Sequence, residues 1–404
     1  MDTSEETDIQ PAALTTPVLP GANPPLWTVN FILICLSTIA TFFAFHSTIP
    51  TLPIYIQQFG GGTGMAGLAL GSLTLAAVLI RPVTGWALDN YGRKLIYLGG
   101  LFIFLFATII YIWMIPVVLL IVLRFVQGIG WGILNTASTT IASDIVPANR
   151  MGEGIGFFSL TASISLAVAP GISLWIIDSF SFPVLFITCS VLTLVAMLLA
   201  LPIRYPPAEK RTERLRFAII EKSALQPAIV ILAFTFTYSS VLSFLPLFAL
   251  EQGLLSSGIF FTAIALTTLI TRPLSGLIVD RRGRGGYNLI MLSGILATLI
   301  AIPILSQTAT AAHLIAGGIF YGIGFGFLQP TMLALCINRA EPTKRGGANA
   351  TYWTGFDTGL AGGSIVWGLV AVAYGYSAML NLTVIPIILA AIIYFFPLKK
   401  PSFS

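Results

Sequence analysis

Charge is scarce in this chain. Asp, Glu, Lys and Arg make up only 9% of its 404 residues, against 56% apolar ones, and mean hydropathy is +0.93. Soluble globular domains carry about a quarter charged residues, so that class is excluded and a polytopic membrane protein remains. Histidine and cysteine are rarer still. His46 and His313 are the only two histidines, and Cys35, Cys189 and Cys336 are scattered through apolar runs. None of them has the spacing of a zinc site or a redox pair, so the cysteines read as core thiols and no metal or cofactor is expected. The Gly-x-x-x-x-Gly-Lys-Ser/Thr loop of an ATP-driven pump is missing. Clustered ligands, or a nucleophile beside its base, are missing too, and with them the marks of a membrane-embedded enzyme. The stretch before Trp27 holds Asp2, Glu5, Glu6, Asp8 and several prolines but no Lys or Arg. It lacks the basic start of a cleaved signal peptide, and residues 1–24 read as a disordered tail.

What the chain does have is long apolar runs. Crossing a bilayer takes about 20 mostly apolar residues in a helix, and backbone polar groups in lipid must be satisfied internally. The runs show no two-residue alternation, which predicts helices over 27–57, 64–89, 95–113, 116–144, 151–178 and 183–204. After a basic, Pro-containing linker at 205–223 come 224–250, 255–280, 286–306, 309–338, 346–374 and 377–397. The expected fold class is an all-α membrane protein. Twelve transmembrane helices form two pseudo-symmetric six-helix bundles, at 25–204 and 224–398.

The net charge of +5 is explained by topology rather than by nucleic-acid binding. All Lys and Arg except Arg81, Arg124 and Arg272 fall after even-numbered segments, in the linker or at the C-terminus. By the positive-inside rule, both termini and these loops are cytoplasmic, and the expected location is the cytoplasmic membrane.

A duplication underlies the pattern. Arg81-Pro-Val-Thr-Gly85-Trp-Ala-Leu-Asp89-Asn-Tyr-Gly92-Arg93-Lys94 returns as Arg272-Pro-Leu-Ser-Gly276-Leu-Ile-Val-Asp280-Arg-Arg-Gly283-Arg284, at a constant offset of 191 residues. Pro53 and Gly60 return as Pro246 and Gly253, and Gly128, Gly130 and Gly132 as Gly322, Gly324 and Gly326. Pro147, Arg150 and Gly152 return as Pro342, Arg345 and Gly347. Repeats of this size in a membrane chain point to a transporter with its substrate site between the halves near the bilayer midplane.

Gly85-x-x-x-Asp89-x-x-Gly92-Arg93-Lys94 resembles the signature between helices 2 and 3 of the major facilitator superfamily. Arg124-x-x-Gln127-Gly128-x-Gly130 resembles its helix 4 motif, and Asp144-x-x-Pro147-x-x-Arg150 the turn that follows. The likeness spans about residues 27–398 and is nearest to the twelve-helix drug:proton antiporter branch. That branch has a Gly-Pro-x-x-Gly-Gly pattern in helix 5; this chain has Ala169-Pro170-Gly171 followed by Ile172-Ser173-Leu174. The resemblance implies a cytoplasmic gate in which Asp89 faces the N-terminus of helix 11, with Arg93 and Asp144 completing a charge network. Gly85, Gly92 and Arg150 belong to it, and Gly276, Asp280, Gly283 and Arg284 form its second copy. Asn338 and Arg339 stand where Asp144 would be repeated, so the network is asymmetric. The plainer alternative is a loop that only fixes topology.

Polar residues inside the apolar runs are the remaining candidates. Arg124, Gln127, Trp131, Asn135 and Ser138 form a stripe at helical spacing. They line either a watery cavity or a helix contact held by hydrogen bonds. Asp357 lies about 16 Å from the inner end of helix 11 by helical rise. A carboxylate at that depth suits a group that takes up and releases a proton in each cycle, or one that binds a cationic solute; a permanent salt bridge is the alternative. Family architecture sets helix 2 against helix 11, which implies an ion pair between Arg81 and Asp357. The matching Arg-Pro pairs also admit a purely structural reading. His46 is either a proton-transfer group or a structural histidine. Trp353 fits an adaptable aromatic pocket, and Tyr238 and Gln329 complete the cavity set.

The expected function is proton-coupled secondary transport, exporting small amphipathic organic compounds by alternating access. A transporter of a defined anionic metabolite or metal-chelating small molecule is the alternative, favoured by Arg124 because guanidinium suits carboxylate. A sensor on a transporter fold stands further off. Partners are then a small-molecule substrate, protons and the lipid bilayer, with no nucleic acid, and the chain acts as a monomer.

Overall fold

The computed structural model describes residues 25–60, 63–205, 217–254 and 258–396, the side chains at 63, 64, 66 and 67 excepted. The expected tail at 1–24, the linker segment 206–216 with Lys210, Arg211, Arg214 and Arg216, and the pair Lys399 and Lys400 lie outside these residues.

Among the described residues every regular element is a helix. In order these are α1 Val29–Gln58, α2 Thr63–Tyr91, α3 Arg93–Ile110, α4 Val117–Ile145, α5 Met151–Ser179 and α6 Phe182–Ala200. They continue with α7 Leu225–Glu251, α8 Gly258–Ser306, α9 Ala311–Arg339, α10 Arg345–Leu382 and α11 Val384–Phe395. Among the described residues, ten helical stretches are long and apolar enough to cross a membrane. The sixth expected segment, 183–204, is shorter than its apolar run: α6 ends at Ala200, and beyond it the Tyr205 hydroxyl donates to the Ala200 carbonyl at 2.7 Å.

Local chemistry sets the breaks. α1 opens at Thr28, whose Oγ1 accepts the Phe31 amide at 3.2 Å and satisfies a donor that the first turn leaves unpaired. α2 passes into α3 through Gly92 at φ +90°, where a residue with a side chain would clash. Its repeat partner Gly283 also has positive φ, +50°, and interrupts the 49-residue α8. A straight helix of that length would run about 74 Å, more than twice the hydrocarbon thickness; the glycine divides it into arms at 258–282 and 284–306. α10 is divided in the same way at Gly375, φ +79°.

Small residues then decide which helices lie together. In α4, Gly128 and Gly132 sit against α2 at Leu73, Ala76, Ala77 and Ile80, while Gly130 sits against Gly100 and Phe104 of α3. α9 does likewise, with Gly322 and Gly326 on the first arm of α8 and Gly324 on Gly294 and Thr298 of the second. Close backbone approach of this kind is how helices associate where lipid supplies no hydrophobic drive. The outward faces keep exposed apolar side chains such as Leu79, Phe102, Phe106, Ile270 and Leu369, as a lipid-facing surface requires.

Helices α1–α6 pack chiefly on one another, as do α7–α11, and the two sets meet mainly where α2 lies on α10 and α5 on α8. Among the described residues, the hydrogen bonds and ion pairs between the sets join positions 81–159 to positions 272–357. These lie between mid-depth and the face carrying the Gly-Arg turns, here the basic face. Among the described residues none joins the sets toward the opposite face.

Candidate functional site

At the basic face each set of helices holds the other by a carboxylate on a helix N-terminus. Asp89, in the last turn of α2, accepts the Gly346 amide on Oδ1 and the Gly347 amide on Oδ2, both at 2.8 Å. Asp280, at the end of the first arm of α8, accepts the Gly152 amide at 2.8 Å and the Glu153 amide at 2.7 Å. The N-terminal N–H groups of a helix have no intrahelical acceptor and carry partial positive charge, so a carboxylate there satisfies both needs. Glycines make the approach possible. A Cβ on Gly85 would lie 2.6 Å from the Ala350 Cβ, and one on Gly276 would fall within the Gly152 carbonyl.

Around Asp89 the charges alternate in sign. Arg93 lies 3.8 Å from Asp89 and donates from Nε to Asp144 at 2.9 Å and from Nη1 to the Leu88 carbonyl at 2.7 Å. Arg345, from the other set, closes the chain by donating to Asp144 at 3.2 Å and to the Ser143 carbonyl at 2.8 Å. Around Asp280 the arrangement differs: Arg150, just before α5, is engaged by Glu153 in the first turn of that helix through two 2.7 Å bonds. Arg284 lines a cavity of about 310 Å³ with Tyr287, Arg339 and Tyr394.

Deeper in, polar contacts continue along α10. Asn349 Nδ2 donates to Thr140 Oγ1 at 3.1 Å, and the Trp353 indole donates to Thr139 Oγ1 at 3.2 Å. Asp357 follows one turn later. Arg81 of α2 reaches it with Nη2 at 2.7 Å and Nε at 3.0 Å, both on Oδ2. Nη1 of Arg81 is held by Asn135 Oδ1 and Thr136 Oγ1, each at 3.2 Å, and its Cζ lies 5.5 Å from the centre of the Trp353 ring. The Arg81 side chain is 1% exposed and that of Asp357 14%. This buried pair, joining α2 to α10 at mid-depth, is the candidate site. The 310 Å³ cavity opens at the basic face without touching either residue; the pair is preferred because buried opposite charges from the two sets of helices meet there.

The polar stripe of α4 does not line one cavity. Asn135 turns to Arg81, whereas Gln127 turns to α3, accepting from the Tyr111 hydroxyl at 3.1 Å and donating to Thr108 at 3.0 Å. Arg124 donates to Gln127 Oε1 at 2.6 Å and to the Thr48 carbonyl at 3.4 Å, and Trp131 stacks on Phe45 at 3.7 Å. Arg124, Gln127, Asn135 and Ser138 are all buried. The helical period gives the angle of a side chain but not the neighbour that fills it. His46 stays within α1, its Nδ1 2.8 Å from the Phe42 carbonyl and its ring against Phe42 and Phe45. Tyr238 stacks on Phe325 at 4.8 Å, and the Gln329 carbonyl accepts the Tyr352 hydroxyl at 2.8 Å.

Sequence reasoning passed over three participants: Glu153, Arg345 and Thr136. Arg345 was visible as the repeat of Arg150, and Glu153 as an acid three residues after that arginine. Thr136 carried no signal apart from its neighbour Asn135.

Comparison with known proteins gives a consistent result. The profile of the Major Facilitator Superfamily matches residues 34–363. An uncharacterized MFS-type transporter of Methanocaldococcus jannaschii is 21% identical over 385 residues, covering 92% of this chain and 98% of that one. Multidrug resistance protein MdtG of Escherichia coli O81 is 26% identical over 388 residues, covering 89% and 92%. Among solved structures, the human organic anion transporter MFSD10 (TETRAN) superposes with a TM-score of 0.78 at 16% identity, over 91% of this chain and 99% of its own. FucP in its outward conformation gives 0.75 at 16% identity, over 92% and 98%. With an all-helical fold, a duplicated carboxylate cap and a profile match over most of its length, the chain belongs to the Major Facilitator Superfamily, and it is a multi-pass membrane transporter rather than an enzyme.

Proposed function

We propose that the protein is a proton-coupled secondary transporter that exports small amphipathic organic compounds across the cytoplasmic membrane. The observation that carries this reading is the Arg81–Asp357 pair at 2.7 Å. A proton on Asp357 removes one charge of the pair and leaves Arg81 buried without its counter-ion, a state that favours separation of α2 from α10. Protonation thus biases the equilibrium between two arrangements of the halves, as coupling requires. The name of the Escherichia coli relative supports export of drug-like compounds.

The same reading takes the chain as twelve crossings in two six-helix bundles, at 25–204 and 224–398, with α8 counted as two and the stretch from α10 through α11 as two. The breaks at Gly283 and Gly375 support that count. The basic face is cytoplasmic by the positive-inside rule, with both termini on that side and the chain working as a monomer. Among the described residues, the polar contacts between the halves then lie on the cytoplasmic side of the midplane, which supports a state closed to the cytoplasm.

The test is flux of fluorescent dyes and organic acids in proteoliposomes after a pH jump. Wild-type protein moves its solute only while a proton gradient is present, and Asp357→Asn retains binding but no longer responds to the gradient. Unchanged gradient-driven flux in Asp357→Asn overturns the assignment. A second reading, transport of a defined organic anion, is favoured by the buried arginines Arg124 and Arg272, neither of which has a carboxylate partner among the described residues.

A further inference from the structure

We propose that Arg272 anchors the anionic group of the transported solute, so that the substrates are amphipathic anions with a flat apolar body. This deepens, and rests on, the reading of the chain as a transporter of small organic compounds.

Arg81 and Arg272 hold the same place in the repeat. Each precedes a proline and stands eight residues before the gate aspartate. Arg81 is neutralised by Asp357. Arg272 is equally buried, 3% exposed, yet among the described residues it forms no ion pair. Its Nη1 donates across the interface to the Ser159 carbonyl of α5, and its Nε has no hydrogen-bond partner. A buried charge without a counter-ion is strongly disfavoured unless something supplies one. At position 357 the protein supplies it; at Arg272, among the described residues, no carboxylate does.

The surroundings fit a ligand of a particular kind. The Arg272 Cζ lies 5.3 Å from the centre of the Phe325 ring, on which Tyr238 stacks at 4.8 Å while lying tilted 6.0 Å from Tyr321. Phe234 stacks on Phe325 at 5.9 Å. The buried Tyr321 hydroxyl and Gln329 Oε1 both lack partners. Aromatic walls with a few unused polar atoms and one guanidinium are the composition of a small-molecule site, and a guanidinium favours carboxylate or phosphate through paired N–H groups. Among the described residues Arg124 also lacks a carboxylate and leaves its Nε unpartnered, but its two bonds go to Gln127 of α4 and Thr48 of α1, both within its own half. Arg272 is bonded to the opposite half. An anion that takes over its guanidinium also releases the Ser159 carbonyl, so binding loosens the α5–α8 contact.

Purified full-length protein in nanodiscs tests the idea with three probes of one shape: naphthoate, naphthamide and naphthylmethylammonium. Affinities come from thermal shift and intrinsic tryptophan fluorescence. Naphthoate is expected to bind wild type at least about tenfold more tightly than the other two, the worth of one modest charge-assisted contact. Arg272→Gln and Arg272→Met remove that preference, and Arg272→Lys keeps part of it. Because the neutral variants delete an unbalanced charge, their ligand-free melting temperatures should not fall below wild type. The proposal is overturned if wild type binds naphthoate no better than naphthamide, if either neutral variant keeps the preference, or if the site takes chloride and excludes naphthoate. Parallel flux in proteoliposomes separates the two levels. Arg272-dependent binding of naphthoate without flux sinks the transporter reading alone, whereas dye flux without any preference for anions sinks this site alone.

Discussion

The α2–α10 and α5–α8 contacts are copies of one device that differ in how their charges are balanced. Both close on a carboxylate that caps the opposing helix, and both depend on glycines that let backbones touch. At α2–α10 four further charged groups take part: Arg93, Asp144, Arg345 and the deep pair's own Asp357. At α5–α8 the deep arginine meets a carbonyl, and the outer one, Arg150, pairs with Glu153 in the first turn of α5. The repeat therefore supplies geometry twice and chemistry once. One interface gives its deep arginine a carboxylate partner, while at the other, among the described residues, the deep arginine has only a carbonyl.

Breaking the deep pair is the largest effect this comparison predicts. Asp357→Asn leaves Arg81 buried and uncompensated, which costs about 3–5 kcal/mol of stability, read as a lower denaturation midpoint of the purified protein. The double variant Arg81→Gln/Asp357→Asn should recover much of that stability without recovering the response to a proton gradient. If Arg272→Gln destabilises as much as Asp357→Asn, the two interfaces are balanced alike and the contrast fails.

Next in size are the glycines. Gly276→Ala places a methyl inside the space of the Gly152 carbonyl, and Gly85→Ala one against the Ala350 methyl. Overpacking of this kind costs roughly 1–3 kcal/mol, and here the cost falls only on the closed basic face. Both variants should raise the accessibility of single cysteines placed on the basic-face half of the interface. Gly276→Ala should do so more, because a backbone atom yields less than a side chain.

Much of this device was legible in the sequence because its parts tolerate few residue types. Positive φ requires glycine at 92 and 283, and touching helices require it at 128, 130 and 132 and again at 322, 324 and 326. A repeat of such positions survives when everything between them has drifted. Glu153 was marked only by its spacing from Arg150, because its counterpart in the second half is Ala348 and no repeat singled it out. The direction of Gln127 toward α3 rather than a shared cavity, and the isolation of Arg272, depend on which helices lie alongside. Periodicity within one helix carries no such information.

Smaller effects sharpen the comparison at the gate. Asp89→Asn and Asp280→Asn each weaken a charged cap, worth about 0.3–1 kcal/mol at a helix N-terminus and up to about 2 kcal/mol when partly buried. Asp89 is also 3.8 Å from Arg93 and is tied through it to Asp144 and Arg345, which lie on opposite sides of the interface. Its loss should therefore shift the population of open basic faces more than loss of Asp280, as measured by distance distributions between spin labels on α2 and α10 and on α5 and α8. Equal shifts at the two contacts would show that the extra charges contribute nothing to closure.

The smallest expected effect is at the surface next to this network, where Lys344 pairs with Glu341 at 2.9 Å with Glu341 65% exposed. Exposed pairs contribute between about 0 and 1 kcal/mol and are screened by salt, so Glu341→Gln should change neither the denaturation midpoint nor the label distances by a measurable amount. Arg345, the next residue in the chain, is only 15% exposed and reaches across the interface to Asp144. Arg345→Gln should open the basic face in low and high salt alike, since a buried pair is little affected by screening. If Glu341→Gln and Arg345→Gln behave alike, burial is not what separates decoration from mechanism here, and the asymmetry between the two contacts would need another cause.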